Sequence, residues 1–505
     1  MRAVNRSFAS VKTNLLAICC GVGAAFSIVA GTAVSSPWLG LVAIGGVIVF
    51  VTVLFVPAFG LLLTAFVVPI ERLGRFGADG GVGITSAMRV VGLLALSGVL
   101  LHMVTKRLQL VLSAPLLLYG GLFALGALSN LWAEDPVSTQ AQTFTMIGNL
   151  MFLFLIANGV RDWPMVQRMV VVWLLATVLV GLHQVYDWHF GAAETAFESE
   201  GKIGSRFSTT WNSSSEAAAI GVVRRAMGST ENAAVYGINL ILTIPFFLYF
   251  IKLARSFWLR GAAAIGLMLV LYNMLLTNTR AVMVFGALVL TACAVARLIR
   301  ITPGRIILLG IFGVAILAAA PDSVWKRVLD ASNYTLDRAS NLRNRFELWD
   351  GALHLAADRW LTGVGIGNRS SILRYLAPGQ IDAESISPHN EFVLIAVELG
   401  IPGALIFYAF LIATCLLIQR SARLYRLTPE TWDRYWFLVA CQISALAGIL
   451  FGVQVDVFHF SLKGWWLVAG LACALHELAI RPARVSATRD EPVLRFNRIA
   501  RHLRS

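Results

Sequence analysis

Ser387-Pro388-His389-Asn390 opens a long apolar segment, and nine residues separate Asn390 from Gly400-Ile401-Pro402-Gly403. Imidazole titrates near neutral pH. A histidine at a membrane surface is therefore a natural general base for a substrate anchored in lipid. The same residue would serve equally as a helix cap at headgroup level. Three arginine positions lie where the rest of the positive charge is absent. Arg280 closes Thr277-Asn278-Thr279-Arg280 between two apolar runs, Arg345 lies within 338–360, and Arg224-Arg225 precede the run beginning near Asn232. Guanidinium is always charged, and its planar fork matches phosphate oxygens, so converging arginines could clamp a diphosphate. Headgroup binding or a salt bridge to a loop carboxylate would account for each one singly. Glu398 lies two turns into the segment after Asn390, where a carboxylate is costly without a partner or a wet cavity. Asp456, near the end of the next span, is a second such carboxylate. Pro402 is placed to kink its helix, and Gly400 and Gly403 permit close packing. The glycines of Gly363-Val364-Gly365-Ile366-Gly367 suit a tight turn after a helix. They lack the strand-turn-helix setting of a nucleotide-binding fingerprint.

The elements that must position these residues are membrane helices. Of the 505 residues 58% are hydrophobic and only 13% are charged, about half the charged share of a soluble chain. Apolar runs of spanning length recur at 15–34, 40–70, 86–105, 111–132, 141–160, 165–188, 232–252, 259–277, 281–297, 305–320, 391–418, 434–455 and 462–480. The run 40–70 is one tilted helix or a short hairpin about Pro57. The fold class is an all-α polytopic membrane protein with about 12 (12–14) transmembrane helices. Strand-length alternation is absent, which argues against an outer-membrane barrel. The net charge of +14 sits in short loops, such as Lys106-Arg107, Arg255 with Arg260, Arg297 to Arg305 and Arg420 to Arg426. That pattern marks cytoplasmic loops and not a nucleic-acid surface. The six cysteines lie in apolar segments without metal-ligand spacing, so neither a metal site nor a disulfide framework is expected. Arg2, Arg6 and Lys12 precede an apolar run longer than a signal-peptide core, which predicts a retained first helix.

Sidedness and organisation follow. The chain divides into N-terminal transmembrane helices (1–188), a loop (189–231), central transmembrane helices (232–320), a large loop (321–390), C-terminal transmembrane helices (391–480) and a basic tail (481–505). Both termini are expected in the cytoplasm, and both long loops on the opposite, periplasmic face. Within the larger loop, Leu342, Phe346, Trp349, Leu353 and Ala356 recur at helical spacing. They predict an amphipathic helix whose apolar face they share. No internal repeat of the kind that builds secondary transporters is visible, which disfavours a transporter or flippase.

Taken together, these residues resemble the O-antigen ligase and O-antigen polymerase superfamily of bacterial inner membranes. The resemblance rests on His389-Asn390 followed after nine residues by Gly400-x-x-Gly403, and on Arg345-x-x-x-Trp349-x-x-Ala352 with the glycines 363–367 after it. Thr279-Arg280 before a span completes it, so that roughly 280–403 is covered. It implies a metal-independent, cofactor-free, inverting glycosyltransferase of multispan, GT-C-like architecture in a Gram-negative inner membrane. The implied donor is a glycan on undecaprenyl diphosphate, and the implied acceptor is the lipid A core in lipopolysaccharide biosynthesis. His389 would be the catalytic base, and Arg280, Arg345 and Arg225 would bind the diphosphate, with Asn390 and Glu398 in support. Ala404 departs from the residue usual after the last glycine in ligases, so a polymerase of O-antigen, capsule or exopolysaccharide repeat units fits as well.

Overall fold

The computed structural model describes residues 37–70, 87–106, 109–190, 225–230, 232–299, 335–376, 388–427, 429–453 and 462–480. The expected spans 15–34 and 305–320, the tail 481–505, Arg224 and Asp456 lie outside these. Every long element among the described residues is a helix. In chain order they are α1 (Pro37–Phe55), α2 (Pro57–Val67), α3 (Ala87–Lys106), α4 (Ala114–Leu128), α5 (Pro136–Gly159), α6 (Trp163–Phe190) and α7 (Ala233–Leu253). There follow α8 (Phe257–Leu276), α9 (Arg280–Val295), α10 (Thr335–Asp358), α11 (Glu391–Arg426), α12 (Trp432–Phe451) and α13 over 463–480.

Eight helices among the described residues are long and apolar enough to cross a membrane. This establishes a polytopic membrane protein. The apolar helices 46–55, 57–70 and 280–295 are shorter. The run 40–70 is interrupted at Val56, where Pro57 cannot donate to the preceding turn. Both α1 and α2 then lie against α3.

Hydrogen bonds and ring contacts tie the connections into two ends. At one end Arg161 donates to the Gln109 carbonyl (3.1 Å), Lys252 bonds the Arg297 carbonyl, and the Arg434 guanidinium lies 5.8 Å from the Trp163 ring centre. This end carries the short basic loops. At the other, Ser229 bonds the Pro69 carbonyl, Gly228 N–H donates to Gln184 Oε1 (2.8 Å) and Asp135 N–H donates to Asn368 Oδ1 (2.7 Å). The described parts of both long loops lie at this second end.

Helix α13 is the axis of the bundle. Leu462, Trp465 to Ala469 and Leu471 to Leu475 are all almost wholly buried. A helix apolar on every side belongs inside, shielded by its neighbours. Lipid tails are as apolar as leucine, so close fit must hold the helices together. Gly448 on α12 supplies it: a Cβ there would lie 2.5 Å from the Trp465 ring. Trp465 Nε1 donates to the Ala445 carbonyl (3.1 Å), and Tyr119, Phe410 and Trp466 pack ring on ring with centroids 4.6–5.4 Å apart.

The helix expected in the larger loop is present as α10, and the side it packs on protein is not the expected apolar face. Leu348, Ala352 and Leu355 are buried with Val364, Ile372 and Val397, whereas Phe346 and Leu353 are exposed. The shared face runs through 348, 352 and 355 because α11 and the turn after α10 cover it. Trp349 and Ala356 flank that face.

Candidate active site

The glycines and proline of the 400–403 segment build a specific break in α11. A helical Pro402 would leave the Glu398 carbonyl without its i+4 donor. Gly400 takes φ +67°, ψ −172°, a conformation that essentially only glycine adopts. Two lost rungs are replaced from the turn after α10. Val364 N–H donates to the Val397 carbonyl (3.1 Å), and Gly365 N–H to the Glu398 carbonyl (2.9 Å). Ile401 N–H in turn donates to the Trp360 carbonyl (2.7 Å). Gly363, at φ +64°, lies so close that a Cβ would fall 2.3 Å from the Glu398 oxygen. The glycine run is therefore a dock for the broken helix.

That turn is pinned from its other side by the α4–α5 connection. Glu134 N–H donates to the Val364 carbonyl (3.2 Å), Asn368 Nδ2 to Thr139 Oγ1 (2.7 Å), and Trp132 Nε1 to the Thr362 carbonyl (3.0 Å). Arg374 grips the Glu134 carboxylate with both Nη atoms (2.8 and 2.6 Å), and Ser371 also bonds it. Partial burial works to raise the Glu134 carboxyl, but the hydrogen bonds from Ser371 and Arg374 outweigh it. They hold the group below its ordinary value.

His389 sits immediately before the start of α11. Asn390 is the N-cap, and its Oδ1 accepts from Phe392 N–H (3.0 Å) and Val393 N–H (3.3 Å). Glu391 N–H donates to the Gly452 carbonyl at the end of α12 (2.9 Å), and Leu394 N–H to the Asn390 carbonyl (3.0 Å). The N–H groups of Glu391, Phe392 and Val393, which have no intrahelical acceptor, are thereby satisfied. Asn390 supports the histidine through the backbone, by fixing where the helix begins. His389 precedes the cap, half-buried and at φ +48°. Such a conformation costs about 1–3 kcal/mol in a non-glycine residue and persists only where the surroundings impose it. They do so on both sides, since Trp349 Nε1 donates to the Pro388 carbonyl (2.6 Å).

Arg345 lies one turn before Trp349, on the same face of the helix that this bond ties to the His389 turn. Arg345 is half-buried. Arg280 and Arg225 form a second pair. Arg280 begins α9, and Thr277, Asn278 and Thr279 before it are buried in the tight turn from α8. Ala226 N–H, next to Arg225, donates to the Leu276 carbonyl at that turn (2.9 Å). α12 links the two pairs. Phe285, in the second turn of α9, packs on Phe451 (centroids 5.0 Å), and Gly452 receives the Glu391 bond. All three arginines and His389 thus sit at the same end of the bundle, opposite the basic loops. Glu398 is buried at the helix break.

Three residues escape the sequence reading: Glu391, Asn149 and Lys463. All are buried, and Lys463 Nζ bonds Asn149 Oδ1. A lysine inside the apolar segment 462–480 was the available signal. Among the described residues no group of three His, Cys, Asp or Glu side chains is placed to hold a metal ion.

No curated protein matches the chain. Residues 263–408, running from α8 through Arg280, Arg345 and His389 to the far side of the Gly400 break, match the family model described as O-Antigen ligase. Over this region, less than a third of the chain, the protein is similar to the O-antigen ligase family.

Proposed function

We propose that this protein transfers a glycan from undecaprenyl diphosphate to a sugar hydroxyl of the lipid A core, at the periplasmic face of a Gram-negative inner membrane. The observation that carries the reading is the Trp349–Pro388 hydrogen bond, which joins the Arg345 helix to the His389 turn. Both the cation and the base of this reading lie inside the region that matches the family. The acceptor hydroxyl gives its proton to the imidazole of His389 and its oxygen attacks the anomeric carbon. The bond from that carbon to the diphosphate oxygen breaks, and the configuration inverts. Arg280, Arg345 and Arg225 stabilise the charge that develops on the departing lipid diphosphate, electrostatic work that fixed guanidinium groups do well. Metal and cofactor have no part in this scheme.

On this reading 189–231 and 321–390 face the periplasm, and 481–505 lies in the cytoplasm. The gathering of basic loops at the opposite end supports that sidedness. The deciding experiment is reconstitution with a lipid-linked oligosaccharide and purified rough lipopolysaccharide. Glycan joined to the lipopolysaccharide supports the ligase. Lengthening of the lipid-linked glycan without it would make the protein a polymerase, and no transfer to either acceptor would refute the reading.

A further inference from the structure

The turn between α8 and α9 holds a donor that the fold itself does not use. Thr277, Asn278 and Thr279 are all buried there, and Asn278 is only 2% exposed. Asn278 sits at φ +48°, a left-handed conformation that asparagine tolerates better than most residues. Its N–H closes the turn onto the Leu275 carbonyl (2.9 Å). The hydroxyls on either side are committed to backbone. Thr277 Oγ1 donates to the Met274 carbonyl (2.7 Å), and Thr279 Oγ1 to the Thr277 carbonyl (3.0 Å). Asn278 Nδ2, by contrast, has no hydrogen-bond partner among the described residues. Native folds rarely leave a buried donor so, because nothing then offsets its desolvation.

The surroundings of this amide favour an anion. Thr279 is the N-cap of α9, but its side chain makes no cap bond, so the positive end of that 16-residue helix dipole is not met by its own cap. Arg280 is the first residue of the helix. Arg225 adjoins Ala226, whose N–H donates to the Leu276 carbonyl at the same turn (2.9 Å). We propose that Asn278 is a further substrate-binding residue, whose amide, at the N-terminus of α9, donates to an oxygen of the lipid-linked diphosphate alongside Arg280 and Arg225. A hydrogen bond to a charged oxygen is stronger in a buried turn than at a wet surface. The proposal rests on the glycan-transfer reading and deepens it, because it gives the left-handed turn a part in holding the donor.

Two variants separate this role from mere turn closure. Asn278→Gly removes the amide and keeps the left-handed backbone. Asn278→Asp keeps the shape and puts a carboxylate where the donor was. The full-length protein in detergent is titrated with undecaprenyl diphosphate, and with undecaprenol, which has the chain without the phosphates. Affinity is read from the rise in thermal midpoint. Asn278→Gly should fold, bind undecaprenyl diphosphate on the order of 10–100-fold more weakly, and lose the same factor in kcat/KM for transfer. Asn278→Asp should bind it more weakly still, since its charge opposes the phosphates. Undecaprenol should bind all three proteins alike. Wild-type affinity for undecaprenyl diphosphate in Asn278→Gly would overturn the proposal and leave the amide to a resident water. Failure of Asn278→Gly to fold would overturn it too, since the amide would then already be used without ligand. If the affinity losses appear as expected while wild-type protein transfers no glycan, the anion site stands and the proposed function falls. If wild-type protein does not bind undecaprenyl diphosphate, both fall.

Discussion

Gly363→Ala is the sharpest structural test of how the helix break is held. The substitution acts in two ways. At φ +64° an L residue occupies the left-handed region, at about 1–2 kcal/mol. The new Cβ would also lie 2.3 Å from the Glu398 oxygen and 2.6 Å from the Leu399 nitrogen, both of them backbone atoms that no side-chain rotation can clear. Relief requires the turn to withdraw from α11. The bonds from Val364 N–H and Gly365 N–H to the Val397 and Glu398 carbonyls are then lost. Each contributes about 1 kcal/mol net, and more where water cannot replace it. The expected cost is about 3–5 kcal/mol. Gly120→Ala is the control, since a Cβ there meets nothing within 4 Å. Alanine in that helix should be neutral or stabilising by up to about 1 kcal/mol. Thermal unfolding of both variants in detergent, followed by aggregation-sensitive chromatography, measures the difference. Indistinguishable midpoints would refute the docking argument.

Other outcomes follow from the same geometry. Arg345→Ala should abolish transfer without loss of folded protein, and Arg345→Lys should restore only part of it, because the fork geometry is absent; full activity in Arg345→Ala removes it from the site. Asn390→Ala removes the cap of α11 and should cost about 1 kcal/mol of stability, with a fall in kcat as the His389 turn loosens. Equal stability and activity in that variant would mean the cap is dispensable. The Glu134 carboxyl is held below its ordinary value, so the Arg374 bridge stabilises the fold above the unfolded carboxylate range and is lost as pH falls through the lowered folded value. The bridge is largely exposed on the Arg374 side, so its contribution is about 0–1 kcal/mol, and Glu134→Gln should flatten the acid limb of the stability curve by no more than that. Cysteines placed at exposed Ser370 and exposed Ser256, in a background without native cysteines, should label from opposite sides of the membrane, with Ser370 reached from the periplasm. Labelling of Ser370 from the cytoplasmic side would invert the topology.

The spans were legible because membrane helices announce themselves by length and apolarity. Predicted runs such as 86–105, 165–188 and 232–252 fall within two residues of α3, α6 and α7. The kink at Pro402 was legible too, since proline's missing N–H is a local fact. Its partner was not, because the donors Val364 and Gly365 lie far upstream and no local pattern links a glycine turn to a particular carbonyl. The side by which α10 packs on protein was not legible for a related reason. Phe346 and Leu353 are large and apolar, but beside a membrane an apolar residue need not point into protein, and the contact with α11 selects Leu348, Ala352 and Leu355. At the site, the residue types of Arg280, Arg345 and His389 were readable, whereas the bond that ties the Arg345 helix to the His389 turn runs through Trp349 and Pro388. Lys463 was hidden by its company, since residues 464–475 that follow it are all uncharged.

The central claim is that His389 takes the proton of the acceptor hydroxyl, and one measurement addresses it most directly: specific transfer activity of purified His389→Ala, with folded fraction and donor binding determined on the same preparation. The account predicts a loss on the order of 10²–10⁴-fold in activity per folded molecule, with donor still bound by the arginines. In the wild type, activity should fall toward acid pH as the imidazole becomes protonated and can no longer accept a proton. Near-normal activity per folded molecule in His389→Ala would contradict the account and leave the residue as part of the helix start alone.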